Sequence, residues 1–356
     1  MISAQLLAIV RCPTCREQGL LRPEGPALRC THCGETYPQH PGYLGLLPRG
    51  AAFEHTTHYV TEEEAFAAAL DYRTVGPPLL AAGVRQRVLR QMLRLRRDDR
   101  VLDCGCGNGK FALWNRDAVA LMVGLDPATL FAEAALEQVD LVQGDSRRLP
   151  FAAASFDKAF SIDVFEHLSR ADLETTLDEL HRLLRPGGLL LIYSNTREPS
   201  RLQPIISLWR RIGRFLRRCR GAGPDPDALR KADHVKAVAT FEELQALVEG
   251  HGFRMAGVRF WNSVVTSFVE HVLLADLTPA PRPLTAGSPL PLSRSEGEGE
   301  GARGEGVRSR ASLRQRAAGR GPLYWAAQAL TWWMGLDIVL LGRLRSGSYF
   351  LLLERP

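Results

Sequence analysis

Lysine is nearly missing from this chain: Lys110, Lys158, Lys231 and Lys236 are the four lysines among 45 basic residues, so arginine carries the positive charge. Against 39 acidic residues the formal net charge is +6. An arginine-rich surface suits anionic partners such as RNA, phosphorylated substrates or acidic lipid headgroups, although the coding bias of a GC-rich genome produces the same excess. A charged leader is lacking at the N-terminus, the apolar stretch there is short and no small-residue cleavage site follows, which argues against a secretory signal. Four of the seven cysteines stand in C-x-x-C pairs. In a chain read as non-secreted, such pairs point to a metal rather than to disulfides and to the cytoplasm as the compartment. Internal repeats of solenoid length are absent, which excludes a stacked-repeat architecture.

What is present suits two domains, because 356 residues exceed one average domain and 45% apolar content supports a sizeable core. Residues 1–50 are rich in Cys, Pro and Gly without a long helical period. Residues 51–99 read as a helical connector, with helices near 61–70 and 83–96; Val84, Val88, Met92 and Leu95 line one face of the second. From Arg100 strands and helices alternate, the pattern of a parallel sheet covered on both faces. Short apolar runs predict strands at 100–104, 119–125, 139–143, 156–162, 188–194, 253–260 and 347–354. Leu173, Leu177, Leu180 and Leu184 predict a helix over 171–184, stopped by Arg185-Pro186-Gly187-Gly188, and another helix falls at 241–250. Residues 279–320 turn Pro-rich and then Glu-Gly- and Arg-Gly-rich, with too few apolar side chains to offset ordering entropy, and read as a disordered insertion between the parts 100–278 and 321–356.

The most informative stretch is Asp103-Cys104-Gly105-Cys106-Gly107-Asn108-Gly109, a strand end followed by glycines at alternate positions. Glycine there lets the backbone turn sharply and approach a ligand that a Cβ would block. Alone the loop is a weak signal, since nucleotide-binding folds share it. Three further strand ends carry carboxylates: Asp126, Asp145 (followed by Ser146) and Asp163. In an open α/β sheet all four ends converge on one crevice. With the Gly144–Phe151 element, Glu166-His167-Leu168 and Leu184-Arg185-Pro186-Gly187-Gly188, the set resembles class I S-adenosylmethionine (SAM)-dependent methyltransferases over roughly residues 85–260.

That resemblance implies an α/β fold with a doubly wound, mostly parallel, seven-stranded Rossmann-like sheet and SAM as cofactor. Asp103 and the backbone of Gly105, Gly107 and Gly109 would hold the methionine portion. Asp126 would take the ribose hydroxyls, and Asp145 with Ser146 the adenine. Dinucleotide dehydrogenases are the near miss: their third glycine falls one residue later, and an acid before the loop suits an ammonium better than a pyrophosphate. Asp163 and His167, with His234 from a later loop, are the candidates for a general base. Asp163 is favoured, since by resemblance the end of the fourth strand adjoins the methyl group. A binding scaffold that keeps the cofactor loop without catalysis is the alternative.

Cys12-Pro13-Thr14-Cys15 and Cys30-Thr31-His32-Cys33 form C-x2-C-x14-C-x2-C. Four thiolates make a closed tetrahedral site for structural Zn2+, and a module with so few apolar residues needs such a staple. Redox use of the pairs would need a thioredoxin-like βαβ context that this stretch lacks. The module is similar to the small zinc-ribbon activator of tRNA and protein methyltransferases and to the N-terminal module of some rRNA guanine methyltransferases.

Two stretches bear on the acceptor. Residues 201–220 place Leu202, Ile205, Trp209, Ile212 and Leu216 on one helical face, with Arg210, Arg211, Arg214, Arg217, Arg218 and Arg220 crowding the remainder, so the helix either packs as a lid or binds phosphates or an anionic membrane surface. Residues 323–342 are long enough to span a membrane and carry one charge, Asp337. They lie between two predicted strands of one sheet, so a packed helical hairpin, not an integral span, is expected. The acceptor is thus expected to be an RNA base or a small, lipid-like metabolite, with the oligomeric state left open.

Overall fold

A computed structural model describes residues 2–50, 53–54, 58–61, 63, 73–219, 234–274 and 321–356. Most of the helix expected at 61–70, and all of the insertion expected at 279–320, lie outside the described residues.

The first element is α1 (Ala4–Ile9), whose N-cap Ser3 accepts the Leu6 N–H. Four turns of chain then zigzag as β1 (Arg11–Cys12), β2 (Arg16–Glu24), β3 (Ala27–Cys30), β4 (Thr36–His40) and β5 (Tyr43–Gly45). After α2 (Leu80–Leu93) come β6 (Arg100–Cys104), α3 (Lys110–Asn115), β7 (Leu121–Asp126), α4 (Glu133–Gln138), β8 (Asp140–Gln143), β9 (Phe156–Ile162) and α5 (Arg170–Leu183). The chain continues through β10 (Leu184–Asn195), α6 (Gln203–Cys219), α7 (Phe241–Gly250), β11 (Arg254–Phe260) and α8 (Val264–Phe268). It ends with α9 (Pro322–Met334), α10 (Leu336–Leu341) and β12 (Ser348–Glu354).

Seven of these strands lie in the order β8-β7-β6-β9-β10-β12-β11. The first five are parallel, and β12 runs antiparallel to both of its neighbours. The expected doubly wound fold is present. Every residue of β9 is buried, as expected of a strand covered on both faces. The order reverses between β6 and β9, which opens a crevice above their C-terminal ends.

Two expectations need correction. Among the described residues the sheet has twelve strands, not seven, because β5 pairs in parallel with β8 (Leu44 opposite Val142) and β4 to β1 follow outward from it. Leu44 is fully buried, and the Arg11 and Ala152 amides bond across to Pro150 and Ile9 carbonyls, so the N-terminal module shares the core of the sheet. Second, β10 starts at Leu184 rather than 188: Leu184 pairs with Phe156, and the Pro-Gly-Gly stretch is absorbed as an irregularity before pairing resumes at Leu189.

The apolar tail, expected as a helical hairpin, folds as two helices, α9 and α10, that meet at Gly335, whose backbone is itself right-handed helical (φ −62°, ψ −19°). Its one charge is fully buried, where the Asp337 carboxylate accepts the Val265 and Thr266 amides at 2.9 and 2.8 Å and so satisfies the start of α8. Among the described residues no helix is long and apolar enough to cross a membrane. On α6 the buried stripe runs through Ile206 and Gly213, not through Ile205, which faces outward with Leu208 and Phe215. A Cβ on Gly213 would lie 2.3 Å from the His271 carbonyl, so glycine permits the close crossing of α6 over the 264–273 segment.

Candidate active site and metal centre

Above the parallel strand ends lies a cavity of about 840 Å³. Its floor is the glycine loop. Gly105, Gly107 and Gly109 all have positive φ (79°, 55° and 78°), and a Cβ on Gly105 would meet Val164 at 2.3 Å. Gly105 and Gly107 line the cavity. Gly109, expected to join them, does not; it starts α3, where its missing Cβ makes room for Ala135.

Asp103, at the end of β6, is 1% exposed, and its Oδ2 is buried without a hydrogen-bond partner in a wall of the cavity. Burial pushes its carboxyl well above the usual range, with the Asp126 charge adding to the rise, while the Ala112 amide and Lys110 oppose it. Such an atom wants a cation or donor from a ligand. Asp126 turns Oδ2 to the Gly107 amide (2.8 Å) and Oδ1 to the Ala128 amide (3.0 Å), which clamps the loop.

Asp145 and Ser146, expected to take the adenine, meet partners within the chain. Arg147 clasps the Asp145 carboxylate through its backbone amide (2.8 Å), Nε (2.9 Å) and Nη2 (2.7 Å), and reaches Asp172 with Nη1. Asp145 therefore serves Arg147 first. The Ser146 hydroxyl lies 3.1 Å from that of Thr176, turned toward α5. Both residues still line the cavity.

Asp163 follows β9 with φ +58°, a left-handed backbone that carries its carboxylate to Arg85 at 3.1 Å. The Arg85 guanidinium lies 5.1 Å from the Tyr193 ring centre and 5.7 Å from that of Trp261. Burial raises the Tyr193 phenol, which Arg85 opposes, so this hydroxyl stays protonated. His167 lines the same cavity, its ring 4.7 Å from that of His234 and perpendicular to it. Thus the structure brings Asp163, His167 and His234 to one cavity. Arg85, Arg147, Tyr193 and Trp261 were missed: single arginines on a helix or turn, and single aromatics in or just after a strand, carry no motif. Leu323 and Ala327 of α9, with Ile206 and Arg210 of α6, reach the same cavity from above.

At the other end, the ligand atoms of Cys12, Cys15, Cys30 and Cys33 lie within 4.8 Å of one another. The Tyr37 hydroxyl approaches Cys12 Sγ at 3.3 Å, a polar neighbour suited to a thiolate. A Cβ on Gly19 would lie 2.5 Å from that of Cys12 and 2.9 Å from Cys30 Sγ, so glycine makes room for the cluster. Crowding raises the Cys15 thiol, first through its hydrogen bond to Cys33 and then through burial and the neighbouring sulfurs. The donor set, four converging sulfurs, fits a tetrahedral zinc ion.

Residues 102–192 match the family described as a methyltransferase domain. The matched residues run from β6 into β10 and include the glycine loop. The chain is 36% identical over 123 residues to the malonyl-[acyl-carrier protein] O-methyltransferase of Enterobacter lignolyticus, covering 34% of this chain and 47% of that protein. It is 39% identical over 95 residues to a tRNA (carboxymethyluridine(34)-5-O)-methyltransferase of Mus musculus, covering 26% and 14%. The chain thus spans less than half the length of these relatives. Among solved structures, phosphoethanolamine N-methyltransferase 2 of Haemonchus contortus in complex with S-adenosyl-L-methionine matches at 15% identity and TM-score 0.47, over 90% of this chain and 62% of that one.

Proposed function

We propose that this chain transfers a methyl group from SAM to a small amphiphilic acceptor. The observation that carries the reading is Asp103, whose unpartnered, buried Oδ2 at the glycine loop is matched to the ammonium of the methionine portion. The Gly105–Gly107 backbone would cradle that portion, and Asp126 would accept from the ribose diol. When bound, the sulfonium supplies a ready methyl donor, so the protein's task is alignment and exclusion of water. Asp163, held by Arg85, is the residue to receive an acceptor proton or to orient the acceptor.

The amphiphilic acceptor is favoured over an RNA base by the roof of the cavity. Trp209, Phe268 and Trp333 stack edge to face at 4.9 and 5.6 Å, joining α6 to α9 through α8. Trp325 (64% exposed), Trp332 (69%) and Val339 (77%) stand outside this cap, with the Arg87 guanidinium 5.5 Å from the Trp332 ring centre. Such a face suits the surface of an anionic membrane without spanning it. A structural Zn2+ on Cys12, Cys15, Cys30 and Cys33 belongs to the same reading, as does a reducing, cytoplasmic setting. So does a division into a ribbon at 1–50, a connector at 51–99 and a methyltransferase part at 100–278 completed by 321–356.

The test is calorimetric titration with SAM and S-adenosylhomocysteine. Micromolar binding that falls at least tenfold in Asp103→Ala is expected, as is labelled methyl transfer into the lipid fraction of a cell extract. Tighter binding of a nicotinamide dinucleotide would overturn the cofactor reading. Methyl transfer into the RNA fraction would overturn the acceptor class.

A further inference from the structure

We propose that Glu166, His167 and His234 form a site for a divalent cation at the acceptor end of the cavity, distinct from the four cysteines. One ligand atom from each lies within 4.8 Å of the others. Around an ion about 2.1 Å from each ligand, two donors stand at most about 4.2 Å apart, so small side-chain rotations gather the three.

The backbone holds them for this. Glu166 and His167 share the single turn Phe165–His167 that follows β9. His234 arrives from a segment more than sixty residues later, pinned there because the Lys236 amide donates to the Glu166 carbonyl at 2.9 Å. Arg197 Nε bonds the Lys236 carbonyl at 2.8 Å and fixes the segment a second time.

Glu166 is 2% exposed, and its two oxygens are oriented separately, Oε2 by the Ser194 hydroxyl (2.6 Å) and Oε1 by the Asn195 amide (3.2 Å). A carboxylate offers roughly four acceptor directions, so each oxygen keeps one for a metal. Partners of this kind are what holds a ligating carboxylate in place. Two imidazoles and one carboxylate are the donor set of Mn2+, Fe2+, Co2+ or Zn2+ sites with open coordination positions. Asp163, paired with Arg85, is not needed in the set.

All three residues line the cavity, so the open positions face the acceptor. The ligand class that completes the shell is an oxygen donor, a hydroxyl or phosphate oxygen on the acceptor. That last step rests on the methyltransferase reading; the cation site itself does not.

The experiment is titration of the full chain, with its cysteine site loaded with zinc, by Mn2+ alone, followed by the loss of the free-ion electron paramagnetic resonance signal. One Mn2+ per chain is expected beyond the cysteine-bound zinc. His234→Ala and Glu166→Gln should weaken it at least tenfold, and His234→Asp, which restores a ligand, should recover most of it. SAM affinity measured on the same samples should not change. Wild-type Mn2+ affinity in both weakening variants, or no uptake of Mn2+, Co2+ or Zn2+ beyond the cysteine site, overturns the proposal. A chain that binds Mn2+ in this manner but not SAM would retain the cation site and lose the methyltransferase reading.

Discussion

Asp103 makes the ligand-free site sensitive to pH. Its folded carboxyl is raised well above the ordinary value of 3.8, so the folded state keeps a proton that the unfolded chain gives up. The stability tied to that proton is full below the ordinary value and declines as pH rises through the raised one. The thermal midpoint of the ligand-free protein is therefore expected to fall with rising pH, and less steeply in Asp103→Asn. SAM affinity should move the other way and strengthen with pH, because the ammonium prefers the ionised carboxylate. Calorimetry across the range checks both. At Gly105 the issue is space: Gly105→Ala drives a methyl into Val164 at a positive φ, with an expected cost of about 1–3 kcal/mol and a matching loss of cofactor affinity. Chemical denaturation measures the first and titration the second. The acids at strand ends were legible from sequence because strand periodicity fixes where a strand stops. That Arg147 occupies Asp145 was not, since the pairing depends on a rotamer choice and on Asp172, 25 positions away.

At the scale of elements, helix and strand positions were readable where a period ran uninterrupted. The expected 241–250 helix and 156–162 strand match the structure to the residue. Which face of α6 packs was misread, because Leu and Ile stand on both faces and Gly213, not an apolar side chain, marks the close contact. The outward face joins Ile205, Leu208 and Phe215 to Arg211, Arg214 and Arg218, all exposed. Replacing those three arginines by glutamate is expected to abolish pelleting with anionic vesicles while leaving SAM affinity intact. Wild-type protein that stays in the supernatant at low salt would rule out the membrane contact.

For the whole molecule, the sequence showed a ribbon and an α/β domain but not their joint. β5 is three residues long and lacks the alternation that marks a strand, and its partner β8 lies about a hundred residues away. With that seam, the cysteine cluster and the cavity belong to one hydrogen-bonded sheet. Arg148, next to Arg147 in the cavity wall, bonds the carbonyls of Pro13 and Thr14 between the first two cysteines. The two parts should melt as a unit. Scanning calorimetry is expected to record one endotherm rather than two, and a zinc chelator should shift that whole peak to lower temperature instead of splitting off a shoulder.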